Sequence, residues 1–190
     1  PAALFMVIAK TLIKNHAQAG MAPSRVFETV NNQLCENNEA GIFVTAFLGI
    51  LEISTGRFTY VNAGHNPPLA ALGGQPYDWL PSKRSFVLAG MENVHYRQQE
   101  ITLLPGDRLF LYTDGVTEAL DPDNALYSDS RLQAFFNEVD LADKSLEEQL
   151  ALLHQDIAAF VINSGSGLIL ADLRFFRGQI FCGHKTFLAI

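Results

Sequence analysis

A carboxylate fixed at the end of an apolar strand can bind a hard cation or fold back onto the amides of its own turn, and Asp114 offers both chemistries. It follows Leu109-Phe110-Leu111-Tyr112-Thr113, a short series rich in strand formers that begins after the turn signal Pro105-Gly106-Asp107. On this spacing alone the turn reading comes first and the cation second. His65 sits in Ala63-Gly64-His65-Asn66-Pro67-Pro68-Leu69 and could serve as a metal ligand, a general acid or a hydrogen-bonder that ties the loop down. With no Cys, Asp or second His at ligand spacing, the structural role leads. Asp121 and Asp123 resemble half of a calcium loop, but the glycine of the sharp turn and the spaced glutamate are missing, which predicts a solvated turn. Cys35 and Cys182 form no paired zinc motif and no disulfide framework, a usage that fits a reducing, cytoplasmic setting.

The elements that must hold these residues follow from periodicity. Pro1 to Ile13 starts with a proline suited to a first helical turn and is apolar on nearly every face up to Lys10, which predicts a buried helix. After Gly20, Pro23-Ser24 opens a second helix with Val26, Phe27, Val30 and Leu34 on its packing face and Glu28, Asn31 and Asn32 on its wet face. Phe43–Ile53 and Arg57–Ala63, joined by Ser54-Thr55-Gly56, read as a β-hairpin. Glycine and two prolines break the chain around His65, a strand resumes over Leu69–Leu72, and Gly73-Gly74 turns it again. A further strand is expected over Tyr96–Leu103. Leu132, Phe135, Phe136 and Val139 mark a short amphipathic helix. Ser145-Leu146-Glu147-Glu148 is a capping box that opens another helix, with Leu146, Leu150, Leu153, Ile157 and Phe160 or Val161 on one stripe. Asn163 to Gly167 ends it, Leu168 to Phe176 can form a last strand, and Arg177 to Ile190 is a tail without clear pattern.

The order helix, helix, about five hairpin-connected strands, helix, helix, strand predicts an α+β fold with antiparallel sheets covered by helices. With 190 residues, 48% of them hydrophobic, one domain is the default, spanning 1–176 and followed by the tail 177–190. The formal net charge of −7 and the lack of a Lys/Arg cluster argue against nucleic-acid binding, which needs a basic face to neutralise phosphates. No apolar run reaches the roughly 18 to 20 residues of a membrane span.

Three blocks carry a resemblance. Phe43-Val44-Thr45-Ala46-Phe47, then Tyr60-Val61-Asn62-Ala63-Gly64-His65-Asn66-Pro67-Pro68-Leu69, then Pro105-Gly106-Asp107 through Tyr112-Thr113-Asp114-Gly115-Val116-Thr117-Glu118-Ala119 resemble successive blocks of the bacterial metal-dependent, PPM-type serine phosphatases. The branch is that of sporulation phosphatase E and the stress-response RsbU phosphatases. Together with the opening Pro-Ala-Ala-Leu helix they cover most of Pro1 to Phe160 in order. The resemblance implies a four-layer αββα sandwich of two antiparallel sheets flanked by helix pairs, and two Mn²⁺ or Mg²⁺ ions held by aspartates, whose bridging water attacks a phosphoserine or phosphothreonine. Asp114 matches the family's metal-binding aspartate, which reverses the order of its two readings. Gly115 would let the backbone pass close to the metal site, and Gly64, His65 and Asn66 match an architectural block.

The departures matter too. In the family, two Asp-bearing segments precede the Pro-Ala-Ala helix, and this sequence starts after both. The Asp-Asp pair leading into the last strand is not intact: one register puts Ser166-Gly167 there, and another, slightly preferred, puts Ala171-Asp172 there and keeps a second metal carboxylate at Asp172. One or two carboxylates cannot fill the oxygen shells of two hard cations, so weak metal binding is expected of this chain. The first expectation is therefore an N-terminally incomplete phosphatase domain acting on a phosphorylated anti-sigma-factor antagonist. The alternative is a catalytically inert phosphatase-like fold that binds a partner or dimerises. Sheet edges and helix surface left uncovered by the missing segments predict self-association.

Overall fold

The computed structural model describes residues 2–36, 38–83, 85–139, 141, 144–162, 179–181 and 184–190. Its elements in chain order are α1 (Ala2–Gln18), α2 (Pro23–Cys35), β1 (Ala46–Glu52), β2 (Arg57–Ala63), β3 (Leu69–Ala71), β4 (Asp78–Trp79), β5 (Gln99–Thr102), β6 (Arg108–Phe110), α3 (Asp114–Thr117), α4 (Ser128–Glu138), α5 (Leu146–Ile162), β7 (Gln179–Phe181) and β8 (His184–Ala189). They form an α+β fold with two antiparallel sheets, ordered β5-β2-β1-β8-β7 and β4-β3-β6. Each sheet belongs to its own compact unit. The larger sheet is grouped with α1 and α2, the smaller with α3, α4 and α5.

In the first unit the hairpin is the organising pair. Ala46 faces Ala63 and Leu51 faces Phe58, in the register that Ser54-Thr55-Gly56 sets. Gly56 adopts φ +73°, and a Cβ there would lie 2.3 Å from the Leu103 carbonyl oxygen, so the turn needs a residue without a side chain. Because side chains alternate along a strand, Ala46, Leu48, Val61 and Ala63 share one face and join Ile13, Val26, Phe27, Val30 and Leu34 of the helices in one buried cluster. On the alternate positions an aromatic row forms. Phe47 and Phe58 both stack on Tyr60, at 5.7 and 5.4 Å between centroids, and Phe187 meets Phe58 edge-on. Gly49 leaves room for the Phe58 ring.

Three expectations need correction here. The tail is not patternless: β8 pairs with β1 from Phe47↔Ala189 to Glu52↔His184, and so lies inside the sheet. Helix α1 is not buried on all sides. Ala9, Ile13 and Ala17 are covered, whereas Leu4, Met6, Val7 and Ile8 are exposed. Nor is Asn31 on a wet face. It is fully buried, its Oδ1 accepting from the Ala89 amide and the Tyr96 hydroxyl and its Nδ2 donating to the Met91 carbonyl. A polar side chain at that depth is stable only because these partners replace water.

In the second unit β3 leaves the hairpin's sheet and pairs with β4 on one side and β6 on the other. The two-residue β4 has no counterpart among the expected strands. Helix α4 buries Leu132, Phe135 and Phe136 against Phe110 and Tyr112, while Val139 caps its end and stays partly exposed. The capping box of α5 forms as its sequence pattern requires: the Ser145 amide donates to Glu148 Oε2 at 2.7 Å and the Glu148 amide to Ser145 Oγ at 3.2 Å. On its stripe Leu153 is fully buried, but Leu146 at the first turn is exposed. The expected last strand from Leu168 to Phe176 lies outside the described residues.

Candidate functional site

The strand leading to Asp114 is shorter than its apolar run. Pairing with β3 stops at Phe110, opposite Leu69, and Leu111 to Thr113 carry the chain on to α3, a single helical turn. Two aromatic side chains fix this approach: Phe110 and Tyr112 stack with planes 9° apart, and the Tyr112 hydroxyl donates to Asp129 Oδ1 at 3.0 Å. Within α3, Val116 is buried to 1% exposure and Thr117 is also buried, so this side of the turn anchors in the core. Helical residues are spaced 100° apart, which directs Asp114 and Gly115 to the opposite side; both are exposed.

The first residue of α3 is thus an aspartate aimed at solvent. Its backbone carbonyl accepts from the Glu118 amide at 2.8 Å and the Thr117 hydroxyl at 3.3 Å. Its carboxylate has no hydrogen-bond or ion-pair partner among the described residues, and Thr113 at the cap position makes no side-chain cap bond. The folded-back turn carboxylate that spacing alone favoured is therefore not the arrangement at Asp114. It is the arrangement at Asp121, whose Oδ1 accepts from the Asp123 amide at 2.9 Å and the Ala125 amide at 2.8 Å, as expected of a turn aspartate. Gly115 has ordinary helical backbone.

His65 lies in the other unit, buried to 5% exposure. Its amide donates to Asn62 Oδ1 at 2.8 Å, the Asn62 Nδ2 returns a bond to the His65 carbonyl at 2.9 Å, and its Nδ1 lies 3.2 Å from Thr45 Oγ1. Asn62 and Thr45 are the partners that the sequence did not reveal. The signal was present only in the Tyr60–Asn66 block as a whole. Gly64 adopts φ +75°, and a Cβ there would come within 2.9 Å of Val87, so the bend before His65 is reserved for glycine. Asn66 is half-buried beside it.

Asp172 and the Ser166-Gly167 alternative fall outside the described residues. Among the described residues no group of three or more His, Cys, Asp or Glu side chains converges to hold a metal ion. A divalent cation of the family's type wants about six oxygen ligands, and Asp114 alone does not supply them. The described residues by themselves do not fit a two-metal centre. Among them, too, no helix is long and apolar enough to cross a membrane.

Comparison with known proteins gives this geometry its context. The family model for stage II sporulation protein E (SpoIIE) matches residues 1–168. Phosphoserine phosphatase RsbU of Bacillus subtilis is 30% identical over 118 residues, covering 62% of this chain and 35% of that protein. The chain therefore spans about a third of that relative's length. Among solved structures, the SiaA PP2C domain of Pseudomonas aeruginosa superposes with a TM-score of 0.68 at 19% identity, covering 83% of this chain and 63% of that one. The manganese-presoaked phosphatase domain of SpoIIE from Bacillus subtilis does so at 0.54 and 15%, covering 95% and 72%. The structural likenesses speak for the fold, and the family match for descent. The chain belongs to the stage II sporulation protein E (SpoIIE) family.

Proposed function

We propose that this chain is part of a metal-dependent protein serine/threonine phosphatase that acts on a phosphorylated regulatory protein of the anti-sigma-factor-antagonist type, with Asp114 as one metal ligand. The observation that carries this reading is the contrast between two aspartates of one segment: Asp121 uses its carboxylate on turn amides, whereas Asp114 presents its own, exposed, from the first turn of α3. A carboxylate held outward on an anchored turn and engaged with no donor among the described residues is available to a hard cation. Solved neighbours of this fold include a manganese-presoaked domain and a magnesium complex, which favours Mn²⁺ or Mg²⁺ as the ion. The relatives named phosphoserine phosphatase support the substrate class. Since Asp114 is a single donor, further oxygen ligands must complete the shell, and Asp172 is the candidate within this sequence.

The test is an Asp114→Asn substitution read in two ways. Calorimetric Mn²⁺ titration should show at least a tenfold loss of affinity in the longest gene product that contains this chain, and manganese-dependent hydrolysis of a phosphoserine protein should fall by about a hundredfold or more, as for loss of a group acting directly at a reacting centre. Equal Mn²⁺ affinity and equal turnover in both proteins would remove Asp114 from the site.

A second reading, an inert phosphatase-like fold that binds a partner protein or a second copy of itself, is favoured by the absence of a converging donor set among the described residues. Failure of Mn²⁺ to bind the full gene product at millimolar concentration would select it.

A further inference from the structure

Immediately beyond α3 the chain makes a tight hairpin whose outer side is apolar. Leu120 and Leu126 face each other across an antiparallel bridge, and partners in such a pair project to the same face. They are 45% and 54% exposed. Leucines left outside the core commonly sit on frayed segments, but this hairpin is tied at every level. The Asp121 amide donates to the Ala125 carbonyl at 3.0 Å, the Asn124 amide to the Asp121 carbonyl at 3.1 Å, and the Tyr127 amide to the Ala119 carbonyl at 2.8 Å. Asp121 Oδ1 locks the tip, where Asn124 holds φ +61°. The base is held from inside the unit. Tyr127 is fully buried, donates its hydroxyl to Asp156 Oδ2 at 2.5 Å, and lies against the Phe160 ring and the Arg131 guanidinium. The two leucines are therefore presented in a fixed conformation, so a partner can be met there with little ordering cost.

The stretch of sequence that carries them is one-sided in charge. Between Arg108 and Arg131 the sequence carries Asp114, Glu118, Asp121, Asp123 and Asp129 and no Lys or Arg. A second copy of this chain, at net charge −7, would bring acid to acid. A phosphoserine carries about −1.5 to −2 charges, so a phosphorylated segment approaching these carboxylates needs cations of its own to offset the repulsion. Leu120 is also close to Asp114 along the chain. One helical turn and three extended residues separate their Cα atoms by about 15 Å at most, which is within the reach of one bound peptide segment of some five residues.

We propose that the Leu120–Leu126 hairpin is a docking edge for the phosphorylated substrate protein, taking a segment in which one or two apolar side chains meet the leucines and flanking Lys or Arg residues meet Glu118 and Asp123. This rests on the phosphatase reading of Asp114, and it assigns to that site the chemistry of its partner. Exposed apolar residues next to a reaction centre bind through contact and charge rather than through sequence-wide complementarity, and a few such anchors carry most of an interface's energy.

The test is direct binding, which requires no turnover. Three fluorescein-labelled phosphoserine peptides serve as probes: one with two leucines and flanking lysines, one with the lysines replaced by glutamates, and one with the leucines replaced by serines. Fluorescence anisotropy should show the first binding at least about tenfold more tightly than either of the others, with an affinity that falls as salt rises. In the Leu120→Ser/Leu126→Ser variant that preference should shrink to about threefold or less. Equal binding of all three peptides to the unaltered protein, or an undiminished preference in a variant with an unchanged circular dichroism spectrum, overturns the docking edge. The comparison among peptides on the unaltered protein decides the matter even if the variant misfolds. An Asp114→Asn protein that keeps the peptide preference while its Mn²⁺ binding and turnover are unchanged would refute the phosphatase reading of Asp114 and leave the edge standing.

Discussion

Asn31→Ala tests whether a buried polar clamp holds the segment after Leu88 onto α2. Asn31 has no exposed surface. Its Oδ1 is the acceptor for the Ala89 amide at 2.9 Å, and Ala89, 6% exposed, is held at φ +64°, a conformation that costs a non-glycine residue about 1 kcal/mol or more. Truncation would orphan the Ala89 amide, at about 1–3 kcal/mol for an unsatisfied buried group. The Tyr96 hydroxyl would lose one partner but keep the Val87 carbonyl at 3.2 Å, and the Met91 carbonyl belongs to an exposed residue and can turn to water, so these add little. The net expectation is about 2–3 kcal/mol. Its neighbour Asn32 is the comparison, because its exposed Oδ1 accepts from the Asn93 amide at 2.9 Å and from Asn31 Nδ2 at 3.3 Å, groups that water can reach or that keep another partner. Asn32→Ala should cost below about 1 kcal/mol. Urea unfolding followed by circular dichroism gives the difference, and hydrogen exchange at the Ala89 amide locates it. If Asn31→Ala is no more costly than Asn32→Ala, or if Ala89 exchange is unaltered, the clamp does not exist in solution.

Two further outcomes follow from the first unit's aromatic face and from the buried phenols. Gly49→Ala would place a Cβ 2.3 Å from Cζ of Phe58, a ring with no exposed surface, and should destabilise by about 1–3 kcal/mol in thermal melts; a variant as stable as the parent would mean that the ring has room to move. Burial pushes the hydroxyls of Tyr60, Tyr77, Tyr96 and Tyr127 above the ordinary phenol range, with Asp156 adding to the effect at Tyr127. In the unfolded chain these groups ionise near about pH 10. Their contribution to stability is therefore full below that pH and is lost as pH rises from there through the native values. Absorbance at 295 nm should show these phenols ionising together with loss of the circular dichroism signal; smooth titration near pH 10 with the fold intact would contradict it.

How much of this was legible in the sequence depends on how local each determinant is. The β1–β2 hairpin was readable because its alternation and its turn lie within one short stretch, and the α5 cap because Ser145 and Glu148 are three residues apart. Strand β8 was not, since what makes His184–Ala189 a strand is β1, more than a hundred residues earlier, and not its own mixture of basic and apolar residues. The departure of β3 to a second sheet was hidden for the same reason. Asn31 misled because a polar residue between apolar ones is normally on the wet face; the distant segment carrying Ala89, Met91 and Tyr96 adds partners that its own helix does not supply. The exposed leading turns of α1 show the converse, that apolar composition states what can be buried and not what is covered.

Asp114 and Asp121 show where local reading stops for the site itself. Each is an aspartate near a turn, and spacing assigns both the same fate. What separates them is the side chain two positions on. After Asp114 comes Val116, which enters the core and forces the chain into a helical turn, so the aspartate is rotated by about 200° to the outside and its carboxylate accepts from no amide among the described residues. After Asp121 comes Asp123, which nothing draws inward, so the turn closes on the Asp121 carboxylate instead. The orientation of Asp114 is thus a by-product of where Val116 packs. That makes its outward carboxylate a property of the folded unit and not of the Asp-Gly pair alone, so no reading of the dipeptide by itself could have given its orientation.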